Sequence, residues 1–307
     1  MDKSKKLEII YGMQEYAKAH NLSQEAIGKQ TGINVGYINA LMRGKDNVNS
    51  VIIKDSYYKK IADVIGIRCE KVYWDTIQTP QYEMILEELI DAKQGGREKM
   101  IIGDPGCGKT YTLKEFRKAY PADTYCITVS SLHSITDIIS ELCDLVGVMK
   151  AGGSATRIKR LHDKMESLKL SGSYPIVILD ESENLRPSQL RMVKALYDAL
   201  TGYCPIVMIG TDQLLRKIER LREKDEDGIP QLYRRFKAGR RELRRIDKEK
   251  MFAPFLESIE DEEVKLMVMN LADNYGELNK FLEPALRESD EMGIPLTGQL
   301  YRNLYKI

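Results

Sequence analysis

The residues best suited to chemistry are Gly103-Asp104-Pro105-Gly106-Cys107-Gly108-Lys109-Thr110, followed directly by Tyr111. Glycines at this spacing let backbone N–H groups turn inward, where they can hold phosphate oxygens. The periodicity predicts a helix from Tyr111 to Ala119, whose N-terminus adds the positive end of its dipole. Lys109 can then reach the β- and γ-phosphates of a nucleotide, and the Thr110 hydroxyl can ligate Mg²⁺. Met100-Ile101-Ile102, short and apolar, supplies the strand that such a loop must follow. The expected cofactors are therefore ATP and Mg²⁺, with residues 103–111 as the nucleotide-binding segment.

A second apolar run, Tyr174-Pro175-Ile176-Val177-Ile178-Leu179-Asp180-Glu181, is too short for a helix and fits a strand covered on both faces. Its ending resembles a Walker B motif. On that resemblance Asp180 would hold Mg²⁺ and Glu181 would polarise the attacking water. A third run, Pro205 to Thr211, resembles the sensor-1 strand of AAA+ ATPases, which implies that Thr211 lies near the γ-phosphate. Gln231-Leu232-Tyr233-Arg234-Arg235-Phe236 occupies the place of the arginine finger in those proteins. Arg234 or Arg235 would then reach a neighbouring subunit's site. Asn274 to Lys280 resembles the start of the sensor-2 helix, with Asn279 in place of the arginine and Lys280 after it.

The elements that must position these residues alternate. Strands are expected at 100–102, 124–129, 174–181 and 205–211, with an edge strand at 241–246. Helices are expected at 82–93, 134–146, 154–168, 187–201 and 212–223. Such alternation gives a parallel sheet with helices on both faces. Helical periodicity continues at 247–257, 260–273, 276–289 and 295–304, which resembles an AAA+ lid.

Ahead of this lies a helical stretch at 4–20, then two short helices across a tight turn. Ser23 is a good N-cap with Glu25 in the first turn, Gly32 ends the helix, Asn34 can cap the next, and Gly44 stops it. Ser23-Gln24, Thr31-Gly32-Ile33, Ile38/Leu41 and Gly44-Lys45 resemble the lambda-repressor-like helix-turn-helix domain, with Gly28 where alanine is usual. Tyr58 to Ile67 resembles its closing helix. The resemblance implies groove-facing residues Asn34, Gly36, Tyr37 and Asn39, and phosphate contacts from Gln24, Arg43 and Lys45. A reading face short of Arg and Gln predicts weak base discrimination. A protein-contact role for the bundle remains open.

The fold class is thus multidomain: an all-α helix-turn-helix head (1–75), a linker (76–82), an α/β parallel-sheet AAA+ P-loop ATPase core (83–246) and an α-helical lid (247–307). This order resembles the phage Mu B-like transposition target-selection ATPases. That resemblance implies an ATP-dependent, largely sequence-nonspecific DNA-binding protein. It would form a homo-oligomer, a helical filament or ring, on duplex DNA and recruit or stimulate a transposase. The mobile-looking segment 150–160, with Lys150, Arg157, Lys159 and Arg160, is a candidate phosphate contact inside the filament. A replicative helicase loader, a nucleotide-switched transcriptional repressor and a small-molecule kinase are the competing readings. A discrete palindromic operator would favour the repressor. The DNA-binding head argues against the kinase.

Composition bounds the alternatives. The 307 residues carry a net charge of +1, distributed as +3 over 1–75, −1 over 76–209, +5 over 210–250 and −6 over 251–307. A basic head and an acidic tail fit a DNA-facing surface and a partner-facing end. No run of 18 apolar residues is present, so no membrane span is expected. The basic N-terminal residues precede no apolar core of a secretory signal, and the expected compartment is the cytoplasm. Cysteines 69, 107, 126, 143 and 204 form no Cys-x-x-Cys pair and histidines 20, 133 and 162 are isolated, which speaks against a disulfide framework or a zinc site.

Overall fold

Ile176 to Asp180 and Ile206 to Gly210 are buried at every position, as strands are when helices cover both faces of a sheet. The structure, a computed structural model, describes residues 3–20, 22–48, 51–67, 73–74 and 76–307. Cys69 and Asp75, the expected end of the first domain, lie outside the described residues. The chain divides into two compact units, Met1–Tyr73 and Trp74–Ile307.

The first unit contains α1 (Lys3–Ala19), α2 (Gln24–Thr31), α3 (Val35–Met42), the antiparallel pair β1 (Asn47–Val48) and β2 (Val51–Ile52), and α4 (Asp55–Ile65). The Ser23 hydroxyl accepts from the Ala26 N–H, Gly32 closes α2 at φ 66°, and the Asn34 side chain accepts from the Gly36 N–H to start α3. Two side-chain caps and a left-handed glycine therefore fix the angle between α2 and α3. Gly28 has a packing reason as well: a Cβ there would stand 2.9 Å from the Ile33 carbonyl oxygen. Ile9, Met13, Ile27, Ile38, Leu41 and Ile61 fill the core. The unit is not purely α-helical, since the β-branched residues Val48, Val51 and Ile52 take extended, paired conformations.

The second unit opens with α5 (Pro80–Gly95), capped by Thr79. Then follow β3 (Lys99–Ile102), α6 (Lys109–Ala119), β4 (Thr124–Thr128), α7 (Ile135–Val146) and α8 (Ser154–Leu170). Next come β5 (Ile176–Asp180), a 3-10 turn (Ser182–Asn184), α9 (Pro187–Leu200), β6 (Ile206–Gly210), α10 (Asp212–Glu223), α11 (Ile229–Lys237) and β7 (Arg240–Glu242). The sheet order is β4-β5-β6-β3-β7, parallel throughout. Alternate residues divide between two apolar layers. Ile176, Ile178, Val207 and Ile209 meet Ile85, Leu89, Leu113 and Phe116 of α5 and α6, while Val177, Leu179, Ile206 and Met208 meet α7 to α11.

Five further helices complete the unit: α12 (Lys248–Met251), α13 (Ala253–Leu256), α14 (Glu262–Leu271), α15 (Tyr275–Met292) and α16 (Gly298–Tyr305). They pack around Phe252, Val264, Leu278 and Tyr301. Two expectations are corrected. The edge strand at 241–246 is only Arg240–Glu242, because the exposed polar residues beyond Leu243 turn away after one more bond to Ile102. The helix at 247–257 is two short ones, since Pro254 in the first turn of α13 cannot donate the bond that would join them. Among the described residues no helix is long and apolar enough to cross a membrane.

Candidate nucleotide site

Because β5, β6 and β3 are neighbours and parallel, their carboxyl ends bring Asp180, Thr211 and Gly103 to one edge of the sheet. Ligands of open α/β sheets bind at that edge. The loop between β3 and α6 is held there by the Gly103 N–H, which donates to the Gly210 carbonyl at 3.1 Å. Gly106 and Gly108 adopt φ 73° and 92°, in the left-handed region that side chains avoid. At Gly106 a Cβ would also collide with Asn274, the cap of α15, and the Gly276 N–H donates to the Gly106 carbonyl at 3.3 Å. The C-terminal helices therefore close directly onto the loop.

Lys109 Nζ donates to the carbonyls of Gly103 and Asp104, each at 2.8 Å. The Thr110 hydroxyl donates to Asp180 Oδ2 at 2.9 Å, and Asp180 Oδ1 accepts from the Glu181 N–H at 3.0 Å. Asp180 is 1% exposed, and burial pushes its carboxyl above the ordinary carboxylate range against the opposing pull of the Thr110 bond. Burial likewise pushes the Cys107 thiol up, making it a packing residue of the loop. One hydroxyl and one carboxylate side by side suit Mg²⁺, which takes few protein oxygens and completes its shell with phosphate and water. Among the described residues, no cluster of three His, Cys, Asp or Glu side chains could hold a metal.

Glu181 follows Asp180 in a left-handed conformation, φ 53°, and is exposed. Its Oε2 accepts from Asn184 Nδ2 at 3.3 Å, and the same amide donates to the Val129 carbonyl at 2.9 Å. Thr211 caps the start of α10, and its hydroxyl oxygen is buried with no hydrogen-bond partner. Such an atom needs a polar group brought to it. The Thr211 N–H donates to Glu183 Oε2 at 3.3 Å. Glu183 was not foreseen from the sequence; the only signal was a third acid, three residues after Asp180.

A cleft of about 400 Å³ extends from residues 106–112 toward the C-terminal helices. Trp74, Tyr82, Tyr111, Phe255 and Tyr275 give it an aromatic wall, with Ile77 and Asn279 also on its lining. Lys280 is exposed and not on it. Trp74 stacks on Phe255 with centroids 4.6 Å apart and planes at 21°; the Tyr275 hydroxyl donates to Gln81 Oε1 at 2.8 Å; and the Tyr111 and Thr76 hydroxyls bond to each other. Of this wall, only Tyr111 was foreseen, because the others come from segments far apart in sequence.

The remaining candidate residues separate by what they touch. Arg234 is exposed and makes no ion pair among the described residues. Arg235 is paired with Asp198, and its guanidinium lies 4.1 Å from the Tyr197 ring centroid. In the 150–160 segment, Lys150 pairs with Asp144 at 2.8 Å, Arg157 donates to Ser140 Oγ at 2.8 Å, and Arg160 donates to the Met149 and Ala151 carbonyls. Lys159 alone of the four is exposed without such a contact. In the first unit Gln24, Asn34, Gly36, Arg43 and Lys45 are exposed. Tyr37 is half-buried against Tyr57, and Asn39 is half-buried with its Oδ1 out of solvent. Gln24, Arg43 and Lys45 remain open to a partner, while Tyr37 and Asn39 face inward more than expected.

Comparisons with known proteins bear on this site. Residues 93–218, from the end of α5 through β6 into α10, match the family model described as AAA domain. The chain is 22% identical over 217 residues to the Mu-like prophage FluMu DNA transposition protein B of Haemophilus influenzae, covering 69% of this chain and 72% of that protein. Among solved structures it is similar to the Aeropyrum pernix ORC2 protein in ADPNP–ADP complexes, with TM-score 0.55 and 15% identity over 75% of this chain and 70% of that one. The Aeropyrum pernix ORC1 protein in complex with DNA matches with TM-score 0.51 and 17% identity, over 73% of this chain and 63% of that one. The second unit thus has an α/β core with a five-stranded parallel sheet that matches an AAA domain over residues 93–218 and has the fold of these ORC structures.

Proposed function

We propose that this chain, similar to a Mu-type transposition protein B and carrying an AAA domain, is an ATPase that assembles on duplex DNA with little sequence preference and delivers that DNA to a transposase. The observation that carries the reading is the Thr110–Asp180 pair at 2.9 Å beneath a complete phosphate loop. Thr110 and Asp180 would hold Mg²⁺, whose charge offsets that of the β- and γ-phosphates. Lys109 exchanges its two loop carbonyls for phosphate oxygens. Glu181 orients the attacking water once released from Asn184, and the unpartnered Thr211 hydroxyl is available to the γ-phosphate or that water. The aromatic cleft takes the base, whose flat face suits the Trp74 and Tyr275 rings.

The oligomer reading rests on Arg234, the one of the two arginines left exposed. The DNA reading rests on Gln24, Arg43 and Lys45 in a helix-turn-helix head, on Lys159, and on the name of the prophage relative. The head, the core and the lid (247–307) are kept as its domains, with the head ending at Tyr73 and the 76–82 linker cut short by α5, which begins at Pro80. A replication role is the second reading, favoured by the ORC fold likeness alone.

The test is electron microscopy of the purified chain with random-sequence duplex DNA. Continuous assemblies are expected with ATP and few with ADP, and none from Lys109→Ala with either. DNA binding indifferent to nucleotide in the wild type would overturn the reading.

A further inference from the structure

The turn that follows Asp180 is tied to the end of β6 in two ways that the nucleotide reading does not use. Glu183 Oε2 accepts from the Thr211 N–H at 3.3 Å. It can come that close only because residue 210 is glycine: a Cβ there would stand 2.7 Å from the same oxygen. Lys217, one and a half turns into α10, donates to the carbonyl of Glu183 and to that of Leu185 at 2.9 Å. The Ser182 hydroxyl, fully buried, donates to the Leu179 carbonyl at 2.8 Å and seats the turn on β5. Burial lowers the Lys217 ammonium below the ordinary lysine value, so its charge is partly removed from water to make these bonds.

The Glu183 and Lys217 attachments join the same two pieces. One is the Ser182–Asn184 turn, which follows the left-handed Glu181. The other is the β6–α10 junction, which carries the buried Thr211 hydroxyl. Glu183 grips the Thr211 backbone, so the direction of the Thr211 hydroxyl depends on it. Lys217 grips the turn's backbone, so the direction of Glu181 depends on it. We propose that Glu183 and Lys217 are positioning residues that hold Glu181 and Thr211 in mutual register for hydrolysis. Neither reaches the nucleotide in this role. The inference rests on the ATPase reading above and names two further residues for it. A group misplaced by about 1 Å in an active site can cost about 10²-fold in rate, so loosening this clamp should be felt at turnover.

The experiment measures ATP Kd by calorimetry and kcat by phosphate release, on full-length protein with duplex DNA. Glu183→Ala should lower kcat by about 10- to 10²-fold while ATP Kd stays within about threefold. Glu183→Gln should recover most of the rate, because an amide oxygen still accepts from the Thr211 N–H. Lys217→Met, close in length but without donors, should lower kcat in the same way, and Glu183→Ala with Thr211→Ala should be no slower than the slower single variant. Circular dichroism and retained ATP affinity certify the fold of each variant. Unchanged kcat in Glu183→Ala would overturn the proposal. So would equal losses for Gln and Ala, which would make Glu183 a proton acceptor, or a loss of ATP affinity as large as the loss of rate. A wild-type chain that binds ATP but never hydrolyses it would instead sink the ATPase reading and the clamp's purpose with it.

Discussion

A carboxyl at 1% exposure, with a threonine hydroxyl and a backbone N–H as its hydrogen-bond donors, holds its proton to higher pH than an ordinary aspartate. In the unfolded chain Asp180 titrates near pH 3.9. The folded protein therefore takes up a proton in the window between that value and the raised one. Its stability falls as pH rises through this window. On the proposed reading Mg²⁺ would need the ionised form, so metal affinity would rise over the same interval. Asp180→Asn separates the two effects: its amide oxygen still accepts from Thr110, while the bond from the Glu181 N–H is lost together with the buried charge. The variant's melting temperature at pH 7 should rise by about 2–4 °C per kcal/mol of relieved burial penalty, and the Mg²⁺ dependence of ATP binding should vanish. Scanning calorimetry and titration of ATP with and without Mg²⁺ read both. A lower melting temperature would mean that the carboxylate's two hydrogen bonds outweigh its burial.

The helix that contributes most to the site beyond the phosphate loop is α15, through its cap Asn274 against Gly106 and through Tyr275 in the cleft wall. Gly106→Ala would force a side chain both into φ 73° and into Asn274, so α15 must withdraw or the loop must refold. Nucleotide affinity should fall at least tenfold, about 1.4 kcal/mol. The chain's single tryptophan, Trp74, lies in the same cleft and reports on it directly. Its emission should shift on adding ATP to the wild type and respond weakly in Gly106→Ala. A full shift at unchanged ATP concentration would show that α15 does not need this contact. The elements show what sequence can and cannot reveal. Gly103 to Thr110 was legible because its function depends on consecutive backbone groups, and the strands because continuous apolar runs of four or five residues suit a buried parallel sheet. Trp74, Phe255 and Glu183 were not, because each acts through a partner from 28 to 181 residues away that no local period encodes. The small β1–β2 pair escaped for the opposite reason: two residues per strand are too few to show alternation.

At the scale of the molecule, charge is divided along the sequence of the second unit, +5 over 210–250 and −6 over 251–307, which on the proposed reading would let one copy meet the next through unlike charges. Within the basic stretch, Arg235 is spent on Asp198 and Tyr197, and Arg234 is exposed. A guanidinium supplied across an interface stabilises charge on the transferring phosphoryl group, an effect worth about 10³–10⁵ in rate. On the proposed reading Arg234 would act in a neighbour's site and not in its own. Hydrolysis should therefore rise with protein concentration and rise further when DNA gathers copies together. Arg234→Ala should bind ATP normally yet lose the DNA-stimulated rate, whereas Arg235→Ala should chiefly lower the melting temperature by removing the Asp198 and Tyr197 contacts. Mixing Arg234→Ala with Lys109→Ala gives the decisive result. The first variant keeps an intact phosphate loop and the second keeps an intact arginine, so a mixed interface contains one complete site. Activity should reappear in the mixture on DNA, following the fraction of mixed neighbours as the ratio is varied. No recovery at any ratio, together with a wild-type rate per subunit independent of concentration, would show that each subunit works alone and that Arg234 has no part in a neighbour's site.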